Sequence, residues 1–332
     1  MKPADNASTF DIDARIAPVE CVVQRARRRR EPSTMATGLA TAGPADDNPV
    51  TITIRRGRCD TPVEDDVVDA GPWDPARYER FADHRARPFL DLLGRIGARD
   101  PSVVVDLGCG NGSTTLLAAN RWPGARLIGV DRSPQMLDRA RELDTTHRVQ
   151  WVQADLAEWN IGAAGMPDVV LTNAALQWVP GHEELIARWC EQLAEGSWFA
   201  LQVPGNGGAP SHQLMAEVAN DHPRRDELLP LLARNRSAEP ERYAELLSGC
   251  CGVVDVWETT YLQILDPEGA SAHPVLDWVS GTSLRPILAA LVGREREAFL
   301  TDLAERYDHA YPRRPYGVPF PFRRVFAVGR RG

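Results

Sequence analysis

The stretch VVVDLGCGNG, at positions 103–112, constrains the fold of this chain more than any other. A β-branched run that ends in a glycine-rich turn predicts a buried strand whose carboxyl end presents a loop to a ligand. The dinucleotide fingerprint requires its third glycine at position 113, where this chain has Ser113. The glycines stand instead at alternate positions, as Gly108, Gly110 and Gly112. A dinucleotide site is therefore only the alternative prediction.

Asp106, inside this stretch, indicates the charge of the ligand. A carboxylate beside the loop repels a pyrophosphate but attracts a ligand that carries an ammonium and a sulfonium group. S-adenosylmethionine carries both groups. We therefore predict S-adenosylmethionine as the cofactor.

Strand and helix patterns alternate from residue 103 to residue 203. This rhythm predicts a parallel sheet covered by helices on both faces. Ser113 and the pair Ser133-Pro134 are predicted helix starts, and an earlier apolar series predicts two short helices separated at Pro88. Late strands are predicted at 253–265 and 323–328. The predicted fold is α/β, a doubly wound Rossmann-like sheet of seven strands, mostly parallel with an antiparallel last strand. A helical lid insertion is predicted at about 204–252 and 267–311.

The composition divides the chain in two and excludes several classes of protein. Residues 1–70 lack hydrophobic periodicity and are predicted to be a disordered extension, whereas residues 71–331 are predicted to form the folded domain. The net charge of −8 argues against general binding to nucleic acid or membranes, and no aromatic residues interleave with Arg27 to Arg30. No apolar run is long enough for a membrane span, and the first residues do not resemble a secretory signal.

The six cysteines stand at irregular spacings that fit neither a disulfide framework nor a metal site. We therefore predict a cytoplasmic protein without a metal ion.

Polar residues stand at the ends of four predicted strands, and ligands of parallel sheets bind at that edge. Asp131 lies 25 residues after Asp106 (131 − 106), which is near the offset of the ribose-binding acid in dinucleotide folds. It is predicted to accept hydrogen bonds from the ribose hydroxyls. Asp155 is predicted to accept one from the adenine amino group, and Asn173 is predicted to face the methionine part.

Several blocks of the sequence resemble a known family. DLGCGNG, GVDRSPQML, ADLAEW and LTNAALQWVPGHEEL are similar to class I S-adenosylmethionine-dependent methyltransferases. WDPARYERF, RWPGARLIGVD, CGVVDVWETTY, DWVSGTSLRP and FRRVFAVGRR resemble, within that class, the family of trans-aconitate methyltransferases. The similarity covers residues 73–331. It implies O-methylation of one carboxylate of trans-aconitate or a related polycarboxylate, which gives a monomethyl ester.

Such a reaction needs no general base, because a carboxylate is already ionised at neutral pH. It needs cationic groups for the other carboxylates, and arginine has the best geometry for them. The last strand places either Arg323 or Arg324 toward the pocket, and we favour Arg324. The predicted substrate-binding residues are Arg285, Arg324, Tyr261, Arg87 and Gln177. The predicted cofactor-binding residues are Asp106, Gly108, Gly110, Gly112, Asp131, Arg132, Ala154, Asp155, Asn173, Trp178, Trp73 and Tyr78.

Two other functions stay open at this point. A methyltransferase that acts on a hydroxyl or carbon centre would usually need a base, so retained activity in a His182→Ala variant would favour the carboxylate. A non-catalytic S-adenosylmethionine-binding regulatory module is the other alternative.

Overall fold

A computed structural model of the chain describes residues 82–233 and 237–332. The predicted extension, the boundary at residue 70, Trp73 and Tyr78 lie outside the described residues. The helices are α1 (Ala82–Arg95), α2 (Ser113–Arg121), α3 (Pro134–Leu143), α4 (His182–Gln192), α5 (Pro210–Asp221), α6 (Arg225–Ala233), α7 (Pro240–Ser248), α8 (Pro274–Ser280), α9 (Arg285–Ala290) and α10 (Gly293–Ala310). The strands are β1 (Val103–Leu107), β2 (Arg126–Asp131), β3 (Val149–Gln153), β4 (Val169–Asn173), β5 (Trp198–Pro204), β6 (Cys251–Leu265) and β7 (Val318–Arg331).

All seven strands form one sheet in the order β3-β2-β1-β4-β5-β7-β6. The first five strands pair in parallel, whereas β7 runs antiparallel to both β5 and β6. The apolar runs of β1 and β4 are buried on both faces, as strands covered by helices on both sides must be. The predicted Rossmann-like fold, with its antiparallel last strand, is therefore confirmed.

Three apolar clusters hold the described residues together. One face of the sheet packs with α4 and α7, including Trp189 and Tyr243, and the other face packs with α1 and α2, including Phe89. The third cluster joins helices α5, α6 and α8–α10 to the outer ends of β6 and β7. Helix α7 lies on the sheet rather than in this third cluster, although the sequence placed its residues in the predicted lid. No helix within the described residues has the length and apolar character that a membrane crossing requires.

Three local predictions were wrong for physical reasons. Pro88 lies inside the single helix α1, because packing of Phe89 and its apolar neighbours in the core maintains the helix past the proline. Ser113 is the first residue of α2 rather than its cap, since the left-handed Gly112 already ends the loop. The Ser113 hydroxyl donates to Asn111 Oδ1 at 2.9 Å instead. By contrast, Ser133 caps α3 as predicted and accepts from the Met136 amide.

The third wrong prediction concerns the last strand, which is longer than the pattern indicated. Strand β7 begins at Val318, and its first six residues pair with β6 beyond the carboxyl end of β5. Pro319 and Pro321 stand in this extension, where β7 has no β5 neighbour to receive an amide hydrogen bond. The extension carries Phe320 and Phe322 out over the edge of the sheet at which β5 ends.

Candidate functional site

A cavity of about 760 Å³ lies at the carboxyl ends of the parallel strands. Its size is typical of sites for small molecules and cofactors. The floor comes from the glycine loop, the ends of β2 and β4 and the segment that follows β3. The opposite wall comes from α8, the turn before α9, and β7. Its polar and glycine lining includes Gly108, Gly110, Asn111, Thr114, Asp131, Arg132, Ser133, Asp155, Asn173, Gln177, His212, Thr282, Ser283, Arg285 and Arg324.

The glycine loop adopts a backbone that side chains would obstruct. Gly108, Gly110 and Gly112 all have φ angles in the left-handed region, at +79°, +55° and +76°. A Cβ on Gly108 would lie 2.2 Å from Ala175 Cβ, and one on Gly112 would lie 2.5 Å from the Trp151 ring. Gly108 and Gly110 line the cavity, whereas Gly112 packs behind it. Gly110 faces open space, so a ligand can approach its backbone closely.

Asp131 holds the glycine loop to the end of β2. Its Oδ2 accepts from the Gly110 amide and its Oδ1 accepts from the Ser133 amide, each at 2.9 Å. Each carboxylate oxygen has a second lone pair, and Asp131 lines the cavity, so it retains acceptor capacity for a ligand hydroxyl. The same side chain therefore shapes the loop and faces the cavity.

Asp106 does not line the cavity, although the sequence placed it in the cofactor site. It is 2% exposed and accepts a 2.6 Å hydrogen bond from the Thr115 hydroxyl of α2. Burial raises the pKa of the Asp106 carboxyl to about 7, and the charge of Asp131 acts in the same direction, while the Thr115 hydrogen bond opposes them. Near neutral pH this group is therefore partly protonated.

The ends of β3 and β4 provide acceptors at the floor. Asp155 lines the cavity, and its Oδ1 accepts from the Ala157 amide at 2.9 Å. Ala154 lies outside the lining and packs against the core beneath the sheet. Asn173 ends β4 and is followed by Ala174, a cavity-lining residue with a left-handed φ of 53°. This strained bend is the kind of backbone that occurs at binding sites.

Some buried polar atoms in the cavity lining have no hydrogen-bond partner among the described residues. They include Asn173 Oδ1, Gln177 Oε1 and Ser283 Oγ. The Gln177 side chain is oriented by its own amide group, which donates to Ala174 O at 2.6 Å. Buried polar groups are nearly always hydrogen-bonded, so these atoms point to a ligand that has both donors and acceptors.

Arg324 brings a positive charge into the cavity. It is 5% exposed, its Nη1 lies 3.5 Å from Gln202 Oε1 on β5, and its guanidinium lies 4.4 Å from the centre of the Phe322 ring. The adjacent Arg323 faces the other way, where it forms ion pairs with Glu239 and Glu258. The alternation of the strand thus separates the two arginines.

Arg285 is the first residue of α9 and lines the same cavity. Burial lowers the pKa of its guanidinium, and the nearby charge of Arg132 lowers it further. No ion pair joins Arg285 to a carboxylate of the described residues. Two arginines, from different parts of the fold, therefore face one cavity whose floor carries acids.

Two predicted substrate-binding residues lie elsewhere. The Tyr261 hydroxyl donates to Asp91 Oδ2 at 2.6 Å, and the Arg87 guanidinium stacks over the Tyr261 ring at 5.1 Å. Neither residue lines the cavity. Trp178 does line it and is 36% exposed.

His212 is a cavity residue that the sequence did not single out. It stands in α5, its Nδ1 lies 3.2 Å from Ser211 Oγ, and burial lowers its pKa to about 4. His182, the histidine considered from the sequence, lies outside the cavity with its Nε2 3.1 Å from the Tyr243 hydroxyl. The lining also includes Trp278, Phe320 and Phe322. Their aromatic residue types are equally typical of a core, so no signal in the sequence distinguished them.

Comparisons with known proteins agree with this geometry. A model described as a methyltransferase domain matches residues 104–196. Trans-aconitate 2-methyltransferase of Streptomyces coelicolor is 46% identical over 271 residues, which are 79% of this chain and 88% of that protein. The protein of the same name from Rhodococcus jostii is 47% identical over 263 residues, or 78% of this chain and 99% of that protein. The one from Mycobacterium tuberculosis is 42% identical over 267 residues, or 78% and 97%. The chain therefore belongs to the trans-aconitate 2-methyltransferase family of S-adenosylmethionine-dependent enzymes.

Proposed function

We propose that this protein transfers a methyl group from S-adenosylmethionine to one carboxylate of trans-aconitate or a closely related polycarboxylate, which gives a monomethyl ester. The observation that carries the proposal is the pair Arg285 and Arg324, which face the same cavity as the acids of the strand ends. The name shared by the relatives supplies the substrate. Arginine binds carboxylates through two parallel hydrogen bonds, which suits a substrate with several of them.

The cavity floor fits the cofactor. Asp131 and Asp155 are acceptors at strand ends where hydroxyl and amino groups would lie, and Gly110 leaves the backbone open. Asn173 Oδ1 is a buried acceptor that matches the ammonium donors of the methionine part. Gln177 Oε1, which the sequence assigned to the substrate, is a second buried acceptor and suits this cationic group better than a carboxylate. When bound, S-adenosylmethionine supplies an electrophilic methyl group on its sulfonium. The proposed cofactor set also includes Arg132 and Trp178, which line the cavity.

The chain's own residues provide position and environment rather than acid–base chemistry. The reacting carboxylate is already ionised, so the protein must hold it in line with the methyl group, an effect that is worth about 7–11 kcal/mol in well-oriented systems. Arg285, Arg324 and the Ser283 hydroxyl are the donors placed to bind the remaining carboxylates. Trp278 and Phe322 contribute apolar wall.

The apolar wall also favours the reaction electrostatically. Methyl transfer consumes one negative carboxylate and one positive sulfonium, so the charge separation decreases along the reaction. A cavity that excludes water favours this loss of charge separation over the solvated, separated ions. The aromatic side chains and the arginines therefore have complementary roles.

Methylation of a hydroxyl or carbon centre is the competing function, and His212 is the residue that it would use. Among the described residues, His212 is the histidine that lines the cavity. Burial lowers its pKa to about 4, which makes it a weak base. The site therefore favours an acceptor that needs no deprotonation.

A methyl-transfer assay on a panel of acceptors tests the proposal. Purified protein is incubated with S-adenosylmethionine labelled in its methyl group and with trans-aconitate, related di- and tricarboxylates, monocarboxylates and hydroxyl compounds of similar size. We expect base-labile ester formation with tricarboxylates, detected by mass spectrometry as a single added methyl group. Transfer only to hydroxyl compounds, or to no polycarboxylate at all, would refute the proposal.

A cytoplasmic location and the absence of nucleic-acid partners stay predictions. Cys109, Cys190, Cys250 and Cys251 are free thiols, as a reducing compartment would keep them. Cell fractionation tests the first prediction, and binding measurements with RNA at several salt concentrations test the second.

A further inference from the structure

Three cysteine side chains meet in the fold, although their spacing in the sequence predicted no metal ion. Cys190 stands in the last turn of α4, and Cys250 and Cys251 stand where α7 gives way to β6, 60 residues later along the chain (250 − 190). Their three sulfur atoms all lie within 4.8 Å of one another, and the Cys250 and Cys251 sulfurs are 3.8 Å apart. We propose that Cys190, Cys250 and Cys251 form a binding site for a divalent thiophilic metal ion of the zinc class.

The sulfur separations fit such an ion. Zinc binds thiolate sulfur at about 2.3 Å, so two sulfurs on one ion are about 3.8 Å apart in tetrahedral geometry and about 4.0 Å apart in trigonal geometry. The Cys250–Cys251 separation already equals the tetrahedral value, and the other two separations, which are at most 4.8 Å, need to shorten by at most about 1 Å. A disulfide needs its sulfurs at about 2.05 Å and would leave the third thiol unused.

The surroundings balance the charge of a zinc-class ion. Three thiolates and one divalent cation carry a net charge of −1. The Arg331 guanidinium donates to Cys250 O at 2.6 Å, which places one positive charge beside the cluster. Three thiolates and a monovalent ion would carry a net charge of −2, which the single charge of Arg331 cannot balance. A divalent ion therefore fits better.

The three cysteine side chains differ in exposure, and this difference leaves a metal ion a route in from solvent. Cys190 is fully buried in the core cluster of α4 and α7, whereas Cys250 and Cys251 are partly exposed. An ion can therefore reach two thiols from solvent and complete its coordination on the third. Among the described residues, no histidine, aspartate or glutamate joins this cluster, so water is left as the fourth ligand.

The site is structural rather than catalytic. None of the three cysteines lines the cavity at the strand ends. A bound ion would join α4 to the start of β6, two segments that otherwise meet through apolar packing. We therefore expect a bound ion to raise the melting temperature without changing the rate of methyl transfer.

Cobalt(II) is the probe for the test, because its thiolate complexes absorb strongly in the near ultraviolet. Full-length protein is reduced with a phosphine, made free of metal and titrated with cobalt(II) in the absence of oxygen. We expect one cobalt per chain with a thiolate-to-cobalt band, displaced by zinc. Cys190→Ala and Cys251→Ser should each weaken binding at least ~10-fold, the lower end of what even indirect partners of a metal contribute.

The matched control removes the two cysteines that lie outside the described residues. The double variant Cys21→Ser/Cys59→Ser should keep the band and its stoichiometry. Binding of S-adenosylhomocysteine, measured by calorimetry, confirms folding of each variant. If Cys190→Ala does not fold, Cys251→Ser decides, since that side chain is partly exposed. A wild-type protein without the band, a band kept in Cys251→Ser, or a band lost in the double variant would overturn the proposal.

Discussion

Replacing Arg324, which stands on β7, by glutamine removes its positive charge from the cavity and keeps much of the side-chain length. Arg324 is 5% exposed, so water screens its attraction for a bound carboxylate only weakly. Losing one partner of a desolvated charge pair costs about 2–5 kcal/mol. Because glutamine can still donate one hydrogen bond, we expect about 2–4 kcal/mol, or roughly a 30- to 1000-fold decrease in kcat/KM for a tricarboxylate.

Arg323→Gln is the matched control, since it changes the next residue of the same strand to the same side chain. Arg323 forms ion pairs with Glu239 and Glu258 outside the cavity, and such surface pairs contribute about 0–1 kcal/mol to stability. This variant should keep the wild-type kcat/KM within about threefold, because no ligand contact is lost.

Steady-state kinetics with saturating S-adenosylmethionine and calorimetry with S-adenosylhomocysteine separate the two roles. In Arg324→Gln the loss should fall on the polycarboxylate, while the dissociation constant of S-adenosylhomocysteine stays within about threefold. Equal loss in both arginine variants, or an equal loss of cofactor affinity and substrate affinity in Arg324→Gln, would refute a substrate-binding role for this side chain.

Three further substitutions test other parts of the site. Asp106→Asn should flatten the pH dependence of stability: because the folded-state pKa is raised from 3.8 to about 7, the wild-type free energy of unfolding falls as pH rises through this window, by roughly 4 kcal/mol at most. Urea denaturation at pH 5 and pH 8 measures this, and an unchanged difference between the two pH values contradicts it. His212→Gln should keep kcat within about threefold, because loss of a true general base costs about 10²–10⁴-fold; a loss of that size in an activity assay would favour the hydroxyl-directed reaction. Gly108→Ala should lower the melting temperature far more than Gly110→Ala, since only the first Cβ meets an atom, Ala175 Cβ at 2.2 Å. Equal changes in the two alanine variants would mean that the left-handed backbone alone sets the cost.

The sheet and the floor of the site were predictable because their determinants are local. The β-branched runs, the glycine spacing and the cap at Ser133 each act within a few residues, and they fixed the strands and the loop. Asp131, Asp155 and Asn173 follow or end their strands, so they come to the same edge. Asp106, by contrast, lies one position before the end of its strand, because Leu107 is the last residue of β1.

That single position changes the environment of the Asp106 side chain. Side chains alternate across a strand, so Asp106 points to the same face as Val104, toward α2, where Thr115 donates to it. This alternation was visible in the sequence, but the sequence did not show which residue ends β1. The same alternation correctly separated Arg323 from Arg324, since it required only that adjacent residues face opposite ways.

Contacts between distant segments could not be predicted. Tyr261 stands on β6, the edge strand, and the sequence did not show that Asp91 of α1 would accept its hydroxyl. His212 reaches the cavity through the packing of α5 with α10, which no periodicity records. The meeting of Cys190 with Cys250 and Cys251 depends in the same way on α4 packing against α7.

If Arg285 and Arg324 bind the substrate as proposed, their origin in different parts of the fold explains why a polycarboxylate should suit this site better than a monocarboxylate. Arg324 belongs to β7 and is fixed by the sheet, whereas Arg285 begins a helix of the separate helical cluster. The carboxylate that receives the methyl group loses its charge and cannot remain a strong partner of either guanidinium. A monocarboxylate therefore has no group left to bind the arginines as the reaction proceeds. In the proposed substrate complex a tricarboxylate would keep two charges, one for each arginine, and would bridge the sheet and the helices while its third carboxylate reacts.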